Sequence, residues 1–157
     1  MMKSIQVAFF ALAILVTACS KDKQTINIVI SKDADKIENL AANELQKYLE
    51  IIYPHYQFPV TFTARSKRKI YVGRKENIPN GLLQESTIPL NCEGFSIYSK
   101  DDEAGIITAS GSAGLLYGVY ELLGIMGYSF MFSGDYSPSE KDNFSFEEWN
   151  LVNEPLV

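Results

Sequence analysis

Acid–base catalysis by a pair of carboxyl groups needs the two held together in a cleft, one of them with a raised pKa. The 157-residue sequence offers few places for such a pair. Asp101, Asp102 and Glu103 lie in a polar run between two apolar stretches, where a solvated turn is the simpler expectation. Glu121 is the one charged residue between Ser110 and Phe132. Its carboxylate is expected to reach the helix edge or a local hydrogen bond, with a functional role as the alternative. Glu147 and Glu148 belong to a polar C-terminal stretch, and no catalytic residue is expected among these acids. A nucleophilic Cys92 would want a nearby base, yet the sole histidine is His55; Cys92 is expected to be a small buried hydrophobe. One histidine and one free thiol are too few soft ligands for a metal site, and neither a metal nor a cofactor is expected. The aromatic loop around His55, Tyr53 to Phe58, is either a flat sugar platform or the closing edge of a core, and the core edge is expected. The Gly111-Ser112 turn has the form of an anion site at a helix N-terminus, but many such turns bind nothing.

The positioning elements follow from pattern. Hydrophobic content of 46% with charged content of 21% is that of an ordinary globular chain, and the length predicts one domain with a core that needs no staples. A formal charge of -5, with Arg65-Ser-Lys67-Arg68-Lys69 as the only basic knot, argues against a nucleic-acid partner. That knot is expected to be a solvated hairpin loop. Lys3 and the uncharged run Ile5 to Val16 form a leader too short to span a membrane. It ends in Leu15-Val16-Thr17-Ala18-Cys19, which resembles the lipobox of bacterial lipoproteins. That resemblance implies a signal peptide at 1–18, lipid attachment at Cys19, a tether at 19–25 and a membrane partner outside the cytoplasm, periplasmic or at the cell surface. An ordinary secretory signal is the alternative. Loss of the leader removes Lys3 and no acid, so the mature charge becomes -5 - 1 = -6.

Ile26 to Ile30 alternates as a strand, and Asp33 is the expected cap of an amphipathic helix that closes before Pro54. Ile37, Leu40, Ala41, Leu45, Tyr48, Leu49 and Ile52 form its apolar stripe. Glu38 and Glu44 fall on the opposite, wet side. Val60–Ala64 and Lys69–Gly73 are strands, followed by a long connection over 74–89. Glu93–Tyr98 and Ala104–Ala109 read as a β-hairpin. Ser112 is the expected cap of a second helix, apolar enough to lie deep in a core. Gly114 and Gly118, four apart, let that helix approach a sheet closely; Gly124 adds a third interior glycine. Gly127 is its C′ residue, and Tyr128–Phe132 is a further strand. The predicted fold is α+β: a two-layer mixed β-sheet with two helices packed on one face. The far face is expected to be partly exposed or to meet another domain.

Two segments now converge. Ala41-Ala-Asn-Glu44-Leu45-Gln-Lys-Tyr48-Leu49 resembles the first helix of a domain at the N-terminus of certain glycoside hydrolases. Glu93-Gly-Phe95, Ile106-Ile107-Thr-Ala109-Ser110-Gly111 and Gly114-Leu-Leu116-Tyr117-Gly118-Val-Tyr120-Glu121-Leu122-Leu123 resemble its hairpin and second helix. The domain occurs in α-glucuronidases, β-hexosaminidases and related secreted proteins. The resemblance covers 26–138 and implies a non-catalytic accessory domain beside a (β/α)₈ barrel that carries the acid and base. The barrel is absent here, so 139–157 is expected to be a linker or the start of a missing domain. Phe144, Phe146 and Trp149 are then expected as an exposed docking patch. The alternatives are a stand-alone surface lipoprotein that binds glycans without cleaving them, and a structural or partner-docking lipoprotein.

Overall fold

A computed structural model describes residues 23–83 and 91–153. Among the described residues, two α-helices form a layer on one side of a six-stranded main sheet, and four further strands form two small pairs. In chain order they are β1 (Gln24–Thr25), β2 (Asn27–Val29), α1 (Lys36–Ile52), β3 (Tyr56–Gln57), β4 (Val60–Thr61) and β5 (Lys69–Arg74). Then follow β6 (Phe95–Asp101), β7 (Ala104–Ala109), α2 (Ser112–Ile125), β8 (Ser129–Met131), β9 (Gly134–Tyr136) and β10 (Asn150–Asn153). The main sheet runs β10-β6-β7-β5-β2-β4; β1 pairs with β3, and β8 with β9. β2, β4, β5 and β7 are parallel, while β6 and β10 enter antiparallel. The mixed sheet with both helices on one face is the architecture the sequence predicts.

Side-chain alternation explains the layering. Ile26, Ile28, Ile70, Val72, Ile97 and Ile107 share a core with the buried sides of α1 and α2. The intervening residues face the other way, where Tyr98, Ile106 and Ile78 form a smaller cluster with Tyr71, Leu82 and Leu83. The far face is thus partly covered by the chain's own connection.

The basic segment is not a hairpin loop. β4 and β5 both pair with β2 in parallel, on its two sides, so the chain between them crosses β2. Asn27 holds that crossing: its Oδ1 accepts the N–H groups of Arg65 (2.9 Å) and Ser66 (2.7 Å). Its own N–H donates to Ser66 Oγ. Arg68 lies over the rings of Phe144 and Phe146, its guanidinium carbon about 5 Å from each centroid.

Several local expectations change. The cap of α1 is Asp35, and with Glu38 at N3 it forms a full capping box. The cap of α2 is Gly111, without a side-chain bond; Ser112 is its first residue. α2 is buried on one side only: Leu115, Val119, Leu122 and Leu123 face the sheet, while Tyr117, Glu121, Gly124 and Ile125 are exposed. It shares the layer with α1, and nothing in the described chain covers its outer side. Gly114 and Gly118 do serve close approach. A Cβ on Gly114 would sit 2.5 Å from Gly94 O, and one on Gly118 3.1 Å from the Phe95 ring. Gly124 has open space around it. Gly127 takes the left-handed φ of +106° expected of a C′ glycine. The strand after it joins β9 in a small hairpin beside the helices and not the main sheet.

The three rings expected as an exposed patch are buried. Phe144, Phe146 and Trp149 are 4%, 2% and 3% exposed. Gly105 in β7 makes the space: a Cβ there would meet Phe146 and Trp149 at 2.6 Å. Beyond the rings, β10 pairs with β6 from Asn150 opposite Tyr98 to Asn153 opposite Phe95.

Candidate functional site

Parallel strands that feed helices deliver the helix N-termini to one edge of the sheet, where α/β proteins commonly hold ligands. Here α1 follows β2 and α2 follows β7, and the two N-termini meet. Asp35 Oδ2 accepts the Ser112 hydroxyl at 2.5 Å. Asp35 Oδ1 accepts the N–H groups of Ile37 and Glu38. Glu38 is wholly buried, although its place in the pattern assigned it to the wet side. Its Oε2 accepts the Asp35 N–H at 2.9 Å. Its Oε1 accepts the Arg74 N–H at 2.9 Å and the Asn77 amide at 2.8 Å. The Arg74 guanidinium approaches Glu38 at 3.4 Å and pairs with Glu76 at 2.8 Å.

This cluster has the residue types of an active site and the wiring of a clamp. Every oxygen of Glu38 is occupied by groups of the same fold, and none faces solvent. It cannot pass a proton to a bound substrate while holding these bonds. What it does is tie α1, the end of β5, the turn Lys75–Asn77 and, through Asp35, α2 into one unit. The anion site imagined at Gly111-Ser112 is filled internally by the Asp35 carboxylate.

The Ser112 hydroxyl, and after it the Glu38 N–H, hold the Asp35 carboxyl below its ordinary value of 3.8; burial opposes them, and the Ile37 N–H and the Arg74 charge add to the lowering. A carboxyl depressed in the fold stabilises it above the unfolded pKa, and that contribution is lost as pH falls through the folded value. Asp35→Asn keeps an oxygen for the cap but has no charge to lose. Acid unfolding followed by circular dichroism is expected to show the wild type losing stability below about pH 4. The variant should be weaker at neutral pH and flatter over that window; equal slopes would refute the assignment.

The remaining sequence candidates are dispersed. Asp101 closes the β6–β7 turn by accepting the N–H groups of Glu103 and Ala104. Glu103 pairs with Lys67 at 2.9 Å, and Asp102 is exposed. Glu121 stands on the uncovered side of α2. His55 is exposed, 3.8 Å from the Asp142 carboxylate. The aromatics beside it close a core edge and do not form a platform: Tyr53, Tyr56, Phe58 and Phe144 have ring centroids 5.1–6.2 Å apart. Cys92 is exposed, not buried. Its carbonyl lies 2.5 Å from where a Gly111 Cβ would be, so the chain at this point is packed by its backbone. Cys19 lies outside the described residues, as does part of the 74–89 connection. No helix among the described residues is long and apolar enough to cross a membrane.

Two surface features went unread in the sequence. The first is the β8–β9 hairpin. Phe130 inserts among Tyr48, Tyr120 and Tyr128 with centroids 4.8–5.8 Å away. Asp135 accepts the Tyr48 hydroxyl at 2.6 Å. Tyr120 donates to Glu44 at 3.0 Å, and burial together with that bond pushes its pKa to about 12. The hairpin is therefore anchored, yet Met131 and Tyr136 are more than half exposed and Phe132 is fully exposed. Leu40 and Tyr117 on the helices are about half exposed as well. The second is a groove of about 170 Å³ between the end of α2 and residues 141–149.

Comparison with known proteins fits this architecture. Residues 14–122 match the family described as glycosyl hydrolase family 67 N-terminus. No curated protein sequence matches the chain. Among solved structures, one similar fold is in a family GH115 4-O-methyl-α-glucuronidase with specificity for decorated arabinogalactans. It is 18% identical with a TM-score of 0.54, covering 68% of this chain and 14% of that one. A GH138 enzyme targeting pectin rhamnogalacturonan II gives 22% identity and a TM-score of 0.45 over 65% of this chain and 13% of that one. A mutant Streptomyces plicatus beta-hexosaminidase in complex with its product GlcNAc gives 19% and 0.41 over 64% and 17%. The chain thus spans less than a fifth of the structures it resembles. With more than half of its length matched by one family model, the chain belongs to the glycosyl hydrolase family 67 N-terminus family.

Proposed function

We propose that this chain is the non-catalytic accessory domain of a glycan-degrading hydrolase of the α-glucuronidase or β-hexosaminidase kind, a piece of a longer enzyme, held to a membrane by lipid on Cys19. The observation that carries the docking role is the exposed apolar surface of the β8–β9 hairpin. An anchored hairpin that presents Met131, Phe132 and Tyr136 to water gains by being covered. Phe144, Phe146 and Trp149, buried in the domain's own core, are not that surface. The Glu38 cluster supports the non-catalytic part of the reading, because its one fully buried acid is consumed by structure.

The reading is tested in two arms. The gene beyond codon 157 is expected to encode a (β/α)₈ barrel, in frame or after a frameshift; no barrel-coding sequence there sinks the accessory role. Cells fed an alkyne-labelled fatty acid are expected to label the wild-type chain and not Cys19→Ser. Equal labelling, or none in either, removes the anchor.

A further inference from the structure

Asn80 is the only asparagine of the sequence followed by glycine. That pair has a chemistry of its own. The backbone nitrogen of the second residue can attack the side-chain amide carbon of the first, and glycine carries no Cβ to hinder it. The fold decides whether the attack occurs, because an amide held by hydrogen bonds cannot swing onto the neighbouring nitrogen.

The structure leaves this pair free. Pro79 to Leu82 form a β-turn, closed by the Leu82 N–H donating to the Pro79 carbonyl at 2.8 Å. Asn80 and Gly81, its two central residues, are exposed. Nothing lies within 4 Å of where a Gly81 Cβ would be. Neither the Asn80 amide nor the Gly81 N–H bonds another described residue. Other asparagines are tied down. Asn27 Oδ1 accepts two N–H groups, the Asn39 amide donates to the Ala34 and Asp35 carbonyls, and the Asn77 amide donates to Glu38.

The turn also sits where a change would be felt. Lys100 Nζ donates to the Gly81 carbonyl at 2.9 Å, and the Tyr98 hydroxyl donates to the Leu82 carbonyl at 3.1 Å. These bonds from β6 hold Leu82 and Leu83 over the small cluster of Tyr98 and Ile106 on the far face of the sheet.

We propose that Asn80 is a self-modifying site whose conversion to isoaspartate loosens the cover of that far face. The Gly81 nitrogen gives its proton to solvent base and bonds to the Asn80 side-chain carbonyl carbon. The amide nitrogen leaves as ammonia, closing a succinimide. Water then opens the ring at either carbonyl and restores the Gly81 N–H, giving aspartate or isoaspartate. Opening at the main-chain carbonyl leaves a backbone one methylene longer, with a new carboxylate beside it. A lengthened turn cannot present both carbonyls to Lys100 and Tyr98 as before.

The test keeps the full chain folded in warm, mildly alkaline buffer and follows it by mass spectrometry with electron-transfer fragmentation, which tells isoaspartate from aspartate. Asn80 is expected to exchange its amide for an acid at a rate within about tenfold of the urea-unfolded chain, while Asn27, Asn39 and Asn77 keep their amides. Asn80→Gln, with an unaltered circular dichroism spectrum, is expected to lose the conversion, since its ring would be larger by one atom. The isoaspartyl form, separated by its added charge on an anion exchanger, is expected to exchange the Leu82 amide for deuterium faster than the unconverted chain. Conversion of Asn80 more than about tenfold slower than in the unfolded chain, equal conversion at the other asparagines, conversion retained in Asn80→Gln, or unchanged exchange at Leu82 overturns the proposal.

Discussion

Glu38→Ala is expected to lower the stability of the domain by about 3–5 kcal/mol, enough to leave a marginal fold largely unfolded. The carboxylate is fully buried and joins four partners: the Asp35 and Arg74 N–H groups, the Asn77 amide and the Arg74 guanidinium. Removing it leaves the Asp35 and Arg74 N–H groups and the Asn77 amide without their acceptor, while the guanidinium keeps its Glu76 partner, and each buried donor left unmade costs about 1–3 kcal/mol. Glu38→Gln keeps the shape and an acceptor oxygen but removes the charge, and should cost less, about 1–3 kcal/mol. Urea unfolding of the three proteins gives the order directly. A loss below about 1 kcal/mol for Glu38→Ala would mean that water replaces the carboxylate and the clamp is not structural.

Gly114→Ala and Gly124→Ala should move stability in opposite directions although both replace a glycine within α2. In the interior of a helix, alanine is favoured over glycine by about 0.8–1 kcal/mol. At Gly124 nothing lies within 4 Å of the new methyl, so that gain should appear in full as a raised Tm. At Gly114 the methyl would lie 2.5 Å from Gly94 O and 2.9 Å from the Glu93 carbonyl, all backbone. The helix must then lift from the start of β6, and overpacking of this kind costs about 1–3 kcal/mol and occasionally more. A net loss of about 2 kcal/mol is expected by thermal unfolding. A Gly114→Ala variant as stable as wild type would show that α2 is not seated on the 93–94 backbone.

The sequence disclosed most where one physical signal dominated. The β6–β7 hairpin stood out because alternating apolar runs flank a polar turn, and α1 because its stripe repeats over four turns. The two-layer arrangement followed from those alternations. Glu38 was misplaced because helical spacing alone puts it among charged neighbours. The signal that could have found it is local: Asp35 three residues before Glu38 is a capping box, and a box acid can turn inward if a cation waits for it. Arg74 is that cation, 36 residues away. Ile37 and Leu40 erred the other way, fitting the stripe yet lying over 40% exposed. Phe144, Phe146 and Trp149 were read as a surface because no preceding pattern offered them a seat. The seat is a missing side chain, Gly105, and a void in a sheet face has no signature in periodicity. The groove was equally hidden, since Tyr53, Met126 and Glu148 come together only through the tertiary fold.

The pairing of β10 with β6 bears on where this domain can be divided. β6 is seven residues long and flanked on its outer edge by β10 alone. At the other end the sheet finishes in β4, only two residues long and too short to recruit a neighbour. A chain cut at Pro138, or at Leu122 where the family match stops, gives up that outer cover along with the Phe144, Phe146 and Trp149 rings. The freed ladder of β6 and the bared apolar floor around Gly105 would then be an adhesive seam between copies. The last described residues therefore act as a selvedge, finishing the sheet so that the domain can sit beside other proteins without knitting to them.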